Sequence, residues 1–410
     1  MHVFEICLLL RRSSRPLIHI GQGARHAKTE IEKFVTDLQI PFVTARNAND
    51  VFAWDHPLYI GRPGTFGQRG ANFAVQTCDL YIAIGTRLSL TQTGYNTKDY
   101  ARNAKIIQVD IDQAELDKGT LRNPIKICAD AKEFMRALFA EWHKPTPNDG
   151  VQWSVWTRFS QYDEWLKRCQ DWKRRYPVCL PEYAEQKNSV NSYHFIDVLS
   201  DVLEEGDTIV TDMGMAFQCT HQGFKVKNNQ RLISNCGLAP MGWGLPAAVG
   251  AAFATGRRVI LITGDGGLMM NIQELATVMH HKLPIKIFVL NNGGYSTIKQ
   301  TQELGFEGRL MGVNEDTGVS FPDFRMAAGA FGIAWYEIKS HLNLSMWIDH
   351  VVNLAQPFDG PILCDVLVSP DQPHAPRSLN RRNPDGSMNP TKLEDSFPFL
   401  PPEVIAEEMK

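Results

Sequence analysis

At 410 residues and 43% hydrophobic content, the chain holds enough material for two or three domains of ordinary size. Its 42 Lys and Arg stand against 45 Asp and Glu, a net charge of -3 with the signs interspersed, which excludes the basic stripe that tracks nucleic acid or an anionic membrane. No apolar stretch is long enough to span a bilayer, and the eight cysteines are scattered without a Cys-x-x-Cys pair or a Cys/His cluster, which excludes a zinc site and fits a reducing, cytoplasmic setting.

The first apolar run, Val3 to Leu10, is short, contains Glu5 and precedes Arg11 and Arg12, the reverse of a signal peptide's order. From about Arg15 to His143, strand-like runs at Leu17 to Ile20, Pro41 to Thr44, Leu80 to Ile84 and Ile106 to Asp110 alternate with helical stretches such as Lys28 to Leu38 and Ala131 to Trp142. Pro145 to Gly150 has linker composition, and a Trp-rich helical segment follows near Trp153 to Tyr176. Between about Ser192 and Val368 the alternation resumes. Strands are predicted at Thr208 to Thr211, Val259 to Thr263, Ile285 to Leu290 and Ile362 to Val368, with helices at His194 to Glu204, Ile272 to His281 and Asp323 to Phe331. Alternation of this kind predicts an α/β fold of two doubly wound, mainly parallel-sheet domains. The first, of nucleotide-binding type, covers residues 1–145, a helical linker 146–188 and the second domain 189–370. The tail, 371–410, is expected to wrap over the second domain or to stay mobile.

The informative stretch is Gly264-Asp265-Gly266-Gly267, then Leu268 to His281 as an amphipathic helix, then a buried strand ending in Asn291-Asn292-Gly293-Gly294-Tyr295. Asp265 follows an apolar strand, so it is placed at the carboxyl edge of a parallel sheet, where open α/β sheets bind ligands. Gly266 and Gly267 let backbone approach a phosphate at the amino end of the next helix. The following strand delivers Asn292 to the same edge. A carboxylate, an amide oxygen and a main-chain carbonyl make a hard oxygen set suited to magnesium, which commonly shares its shell with phosphates. Either turn alone is an ordinary strand ending, since Asp-Gly and Asn-Gly are common turn formers; on consecutive strands they point to magnesium diphosphate.

This pairing, with the intervening Met269-Met270-Asn271-Ile272-Gln273-Glu274-Leu275-Ala276-Thr277, resembles the signature of thiamine diphosphate enzymes of the acetolactate synthase type. By that resemblance Asp265, Asn292 and the main-chain oxygen of Gly294 are the metal ligands, and Gly264, Gly266, Gly267 and Tyr295 belong to the cofactor site. The segment Asn235 to Ala248 is similar to the family's Gly-rich turn. There Met241 takes the place of the apolar wedge between the cofactor's two rings, against the plain alternative that it fills core space, and the Ala239 carbonyl would accept the aminopyrimidine's amino hydrogen. Pro240 is expected to restrict Ala239 to extended conformations. The loop Asp212 to Phe217 resembles the family's Asp-x-Gly loop over the diphosphate. After Gly214, however, Met215 and Ala216 stand where acetolactate synthases have Gln and His, leaving backbone amides to hold phosphate. That departure points away from a standard branched-chain amino-acid enzyme and towards relatives acting on other 2-oxo acids.

Residues from about Arg15 to Leu138 resemble the family's middle domain. Gly21 and Gly23 follow a strand, but His26 replaces the third glycine of a dinucleotide fingerprint. The resemblance leaves a bound flavin (FAD) or another nucleotide open, with Arg69 and Arg87 placed to meet a pyrophosphate. It also implies an upstream pyrimidine-binding domain supplying an activating glutamate, for which residues 1–410 offer no candidate, so no catalytic side chain is assigned. The implied activity is decarboxylation of a small 2-oxo acid, pyruvate first, with two-carbon transfer to a carbonyl acceptor, in a homo-oligomer or with a chain that brings the missing domain. The alternatives are a non-ligating decarboxylase and a non-catalytic cofactor-binding protein. Tyr295, Lys299, Gln300 and Gln302 either border the reaction centre or belong to a surface helix.

Overall fold

Runs of buried aliphatic residues bounded by Gly, Asn and Asp become the strands. β1 (Pro16–Ile20), β4 (Leu80–Ile84) and β9 (Val259–Gly264) are buried almost throughout, as parallel strands covered on both faces must be. The computed structural model describes residues 2–144, 161–355, 360–382, 385, 387–389 and 391–410. Two six-stranded sheets result, and every pairing within them is parallel.

The chain divides into one unit of Met1–Pro177 with Ala375–Lys410 and a second of Val178–His374. In the first, β1, β2 (Phe42–Thr44), β3 (Tyr59–Gly61), β4, β5 (Lys105–Asp110) and β6 (Ile125–Cys128) run in the order β3-β2-β1-β4-β5-β6. This is the doubly wound arrangement in which the chain switches direction between β1 and β4. At that switch point an added Cβ on Gly21 would lie 2.0 Å from the Gly85 carbonyl oxygen and one on Gly23 3.1 Å from it. Both glycines are therefore required by backbone packing on backbone. Of the predicted linker, residues 146–160 lie outside the described residues. Its remainder includes the helix Asp163–Arg175, which is built into the first unit: Trp172 is fully buried and the Trp165 indole donates to the Pro16 carbonyl at 2.8 Å.

The tail departs from expectation from Ala375 onward, where it packs on the first unit, while its start through His374 stays with the second. Buried polar residues of the helix Arg69–Thr77 need partners there. Asn72 donates to the Leu393 carbonyl at 3.1 Å, Gln76 to Glu394 at 2.8 Å, and Arg69 to the carbonyls of Ser396 and Pro398. The short helix Pro402–Glu408 ends the chain, and Glu408 accepts from the Trp172 indole at 2.6 Å and from Arg175 at 2.6 Å.

In the second unit, β7 (Thr208–Thr211), β8 (Arg231–Ile233), β9, β10 (Ile285–Asn291), β11 (Ala334–Ile338) and β12 (Ile362–Leu367) take the order β11-β12-β10-β9-β7-β8. The chain runs outward from β7 to β8, then crosses back to β9, so the switch point lies between β7 and β9. Among the described residues no helix is long and apolar enough to cross a membrane.

Candidate active site

Parallel pairing fixes where the site lies. β9 and β10 run side by side with Gly264 opposite Leu290, so the residues following each strand emerge at one edge. Asp265 follows at once, buried, and its carboxylate is held by three backbone donors: Gly266 N at 2.7 Å on one oxygen, Asn292 N at 3.0 Å and Gly294 N at 3.2 Å on the other. Thus the acidic and amide residues of the two turns meet. Burial pushes the Asp265 carboxyl up to about 6, although the backbone donors favour its charge. A divalent cation beside it would reverse that balance.

Asn292 completes the set. Its side-chain nitrogen donates to Ser296 Oγ at 3.3 Å, whereas its oxygen is buried with no hydrogen-bond partner among the described residues. A buried unpaired acceptor costs about 1–3 kcal/mol, and a cation sitting against it would remove that penalty. Gly294 is pressed against the Val313 carbonyl, where a Cβ would lie only 2.2 Å from the oxygen, and Tyr295 donates its N–H to the same carbonyl at 2.8 Å. Among the described residues no cluster of three or more His, Cys, Asp or Glu forms a metal-holding group. One carboxylate, one amide oxygen and main-chain oxygen are a donor set that fits magnesium shared with a phosphate and fits zinc poorly.

The neighbouring loops arrive at the same edge. Gly214, at φ +80°, precedes the nine-residue helix Met215–Gly223, whose first-turn amides have no helix carbonyl within reach. Met215 and Ala216 turn their side chains into the core, which leaves backbone as what they offer an anion. The expected amphipathic helix from Leu268 to His281 is instead three short pieces, Asp265–Met269, Ile272–Glu274 and Leu275–His280. The break falls at Asn271, whose side-chain amide is drawn to the Gly242 carbonyl at 2.8 Å. Gly266 and Gly267 consequently start only a five-residue turn of helix, and what their missing side chains allow is close packing: a Cβ would fall 2.3 Å from the Tyr295 ring at the first and 2.7 Å from Asp212 at the second.

The turn carrying Ala239 and Met241 is exposed. Ala239 stands at φ +55°, left-handed rather than extended, with its N–H on the Asn235 carbonyl at 2.9 Å. The turn's own hydrogen bond thus overrides the preference imposed by Pro240, at a cost of roughly 1–2 kcal/mol. Met241 is 39% exposed, so it is no core filler, and Gly242 behind it is clamped by Asp212 and Asn271.

Asp212, absent from the predicted site residues, is the tie between loops. One carboxylate oxygen accepts from Met213 N at 2.8 Å; the other accepts from Gly242 N at 3.2 Å and Thr263 Oγ1 at 3.1 Å. Tyr295 packs over Gly266 and edge-on to Phe321 at 5.7 Å. Of the other residues offered for substrate, Lys299 pairs with Asp371 at 2.5 Å, Gln300 donates to the Gln372 carbonyl at 3.0 Å, and Gln302 bonds Met311. In the first unit, Arg87 pairs with Glu115 at 3.6 Å. Because Arg69 is engaged by the tail, and Gly21 and Gly23 by Gly85, the features that suggested a flavin have structural occupations.

A parallel sheet whose carboxyl edge presents a buried carboxylate and an amide oxygen without a partner among the described residues, bordered by a helix amino end, defines the class: an α/β protein of doubly wound parallel sheets, whose ligands bind at such an edge. Comparison makes the class specific. The family model described as thiamine pyrophosphate enzyme, central domain, matches residues 3–138, and that described as thiamine pyrophosphate enzyme, C-terminal TPP binding domain, matches residues 212–366. The chain belongs to the thiamine pyrophosphate enzyme family. It is 32% identical over 364 residues to the acetolactate synthase large subunit of Cyanidium caldarium, covering 88% of this chain and 59% of that one. It is also 32% identical over 370 residues to the large subunit of Porphyra purpurea (89% and 58%) and 29% identical over 370 residues to the acetolactate synthase isozyme 1 large subunit of Escherichia coli strain K12 (90% and 61%). The chain spans about three fifths of the length of these relatives.

Proposed function

We propose that the second unit binds thiamine diphosphate through magnesium held by Asp265, Asn292 and the Gly294 carbonyl, and that the protein decarboxylates a 2-oxo acid, pyruvate first, transferring two carbons to a carbonyl acceptor. The observation that carries this reading is the meeting of a buried Asp265 carboxylate with an Asn292 oxygen that has no hydrogen-bond partner among the described residues. Bound there, thiamine diphosphate would supply the electron sink that takes up the pair left behind when carbon dioxide departs from a 2-oxo acid. The chain's own part is positional. Asp265 and Asn292 hold the cation, the amides of Met215 and Ala216 face the anion, and the turn bearing Met241 presents an apolar side chain at the edge where the cofactor's rings would lie. The acetolactate synthase relatives support a carboligating outcome. The activating glutamate implied by the family resemblance comes, on this proposal, from outside residues 1–410, on the same polypeptide or a partner chain, in an oligomer working in the cytoplasm.

Carbon dioxide release from pyruvate, with magnesium and thiamine diphosphate and with candidate partner chains added, tests the activity. A hydroxyketo acid product establishes carboligation and an aldehyde the simpler decarboxylase; no release under any pairing would refute the enzymatic reading while leaving cofactor binding to be measured separately.

A further inference from the structure

A metal-ligating asparagine has an orientation problem that an aspartate lacks. Its two terminal atoms are nearly the same size, but only the oxygen can face a cation, and something must hold the NH2 group away. Here the neighbour is Ser296, in the first turn of the helix Ser296–Gly305, whose Oγ accepts from Asn292 Nδ2 at 3.3 Å. Ser296 is itself buried, and its Oγ lies 3.3 Å from Nε2 of His374, also buried.

His374 arrives from far along the chain, on the segment following β12. That segment is strapped to the helix and the core. Asp371 pairs with Lys299 at 2.5 Å, the Gln372 carbonyl accepts from Gln300 at 3.0 Å, and the Gln372 side chain accepts from Ser192 N at 2.8 Å and donates to Ser192 Oγ at 2.6 Å.

We infer that Ser296 and His374 are positioning residues for the metal ligand Asn292. The Ser296 hydroxyl donates its hydrogen bond to His374 Nε2, which turns its lone pairs to the Asn292 NH2 group and leaves the Asn292 oxygen as the atom that faces the cation. Lys299 and Gln300 then act indirectly, by seating the strap that carries His374. The inference rests on the magnesium and thiamine diphosphate reading above and adds the element that makes the amide a ligand of fixed sense. Outer partners that orient a ligand typically contribute 10–100-fold to metal affinity.

The test is calorimetric titration of thiamine diphosphate with magnesium into the full chain, with unfolding midpoints of the cofactor-free variants measured alongside. Ser296→Ala is expected to weaken magnesium-dependent binding about tenfold or more at an unchanged unfolding midpoint, and His374→Phe to act in the same direction. Asn292→Asp supplies the discriminating background, because a carboxylate presents oxygen whichever way it turns. Within that background Ser296→Ala is expected to cost nothing. Wild-type affinity in Ser296→Ala, or an equal loss in both backgrounds, overturns the inference. If Asn292→Asp fails to bind, Ser296→Thr decides instead: the retained hydroxyl should preserve affinity, and a loss equal to that of alanine overturns the orienting role. A wild-type chain that does not bind the pair overturns the cofactor reading itself, an outcome distinct from all of these.

Discussion

Asp212 shows how one side chain sets the site's geometry. Its carboxylate takes donors from its own loop, from the Gly242 turn and from Thr263 at the end of β9, so three loops share one buried anion. Asp212→Asn keeps the shape but points an NH2 group at backbone donors. It should destabilise the protein by about 1–3 kcal/mol, read as a lower denaturant midpoint; an unchanged midpoint would mean that the loops hold themselves. The glycines divide in a similarly testable way. A methyl at Gly294 meets the Val313 carbonyl, a backbone atom that cannot swing aside, whereas Gly250 lies exposed within the helix Gly244–Thr255 with nothing nearby. Gly294→Ala should cost about 1–3 kcal/mol and Gly250→Ala should gain up to about 1 kcal/mol; calorimetric unfolding of both variants checks the opposite signs. At this scale Asp265 and Asn292 were legible in the sequence because each sits beside its own strand ending. Asp212 was legible only as the head of its loop, and its bridging was not, nor were Ser296 and His374: Asp212 reaches a partner 51 positions away and Ser296 one 78 positions away, separations that no local pattern encodes.

Among elements, legibility followed position in the sheet. The eight strands read from sequence are the four inner strands of each sheet, while β3, β6, β8 and β11 stand at the edges. Inner strands must be apolar on both faces and therefore show as continuous aliphatic runs. The edges have weaker signals: β3 and β8 are three residues long, β6 exposes Lys126, and β11 is only half-buried over most of its length. The tail's destination was hidden for another reason: beside Leu393, Leu400, Ile405 and Met409, which pack on the first unit's core, it is held by buried polar groups that show no period in the sequence. Glu408 illustrates this. Burial opposes its charge, but hydrogen bonds from Arg175, Tyr176 and Trp172 win and hold the carboxyl down to about 2, against an ordinary 4.5. A depressed carboxyl contributes stability that is complete above the ordinary value and is lost as pH falls through the folded one. The docking of the helix Pro402–Glu408 should hence weaken between about pH 4.5 and 2, and Glu408→Gln should remove that window. Hydrogen exchange of this helix against pH is the check; a profile identical in both proteins would contradict it.

For the whole molecule, both sheets place their direction changes at a carboxyl edge, yet the two edges are used differently. In the first unit Gly21, Gly23 and Gly85 fill the switch point with backbone. In the second, the switch point between β7 and β9 is bordered by Asp212, Asp265 and the exposed turn of Met241, with an acceptor left unpaired at Asn292. The sequence resembled one family along both units, and the matched family domains cover both; the donor set proposed for the cofactor lies in the second. The most direct measurement is titration of thiamine diphosphate into the wild-type chain and Asp265→Ala, each with and without magnesium. Saturable binding by the wild type that requires magnesium and falls at least about a hundredfold in Asp265→Ala is predicted, since the variant loses the carboxylate proposed to hold the cation. Equal binding by the two proteins, or wild-type binding indifferent to magnesium, would contradict the site.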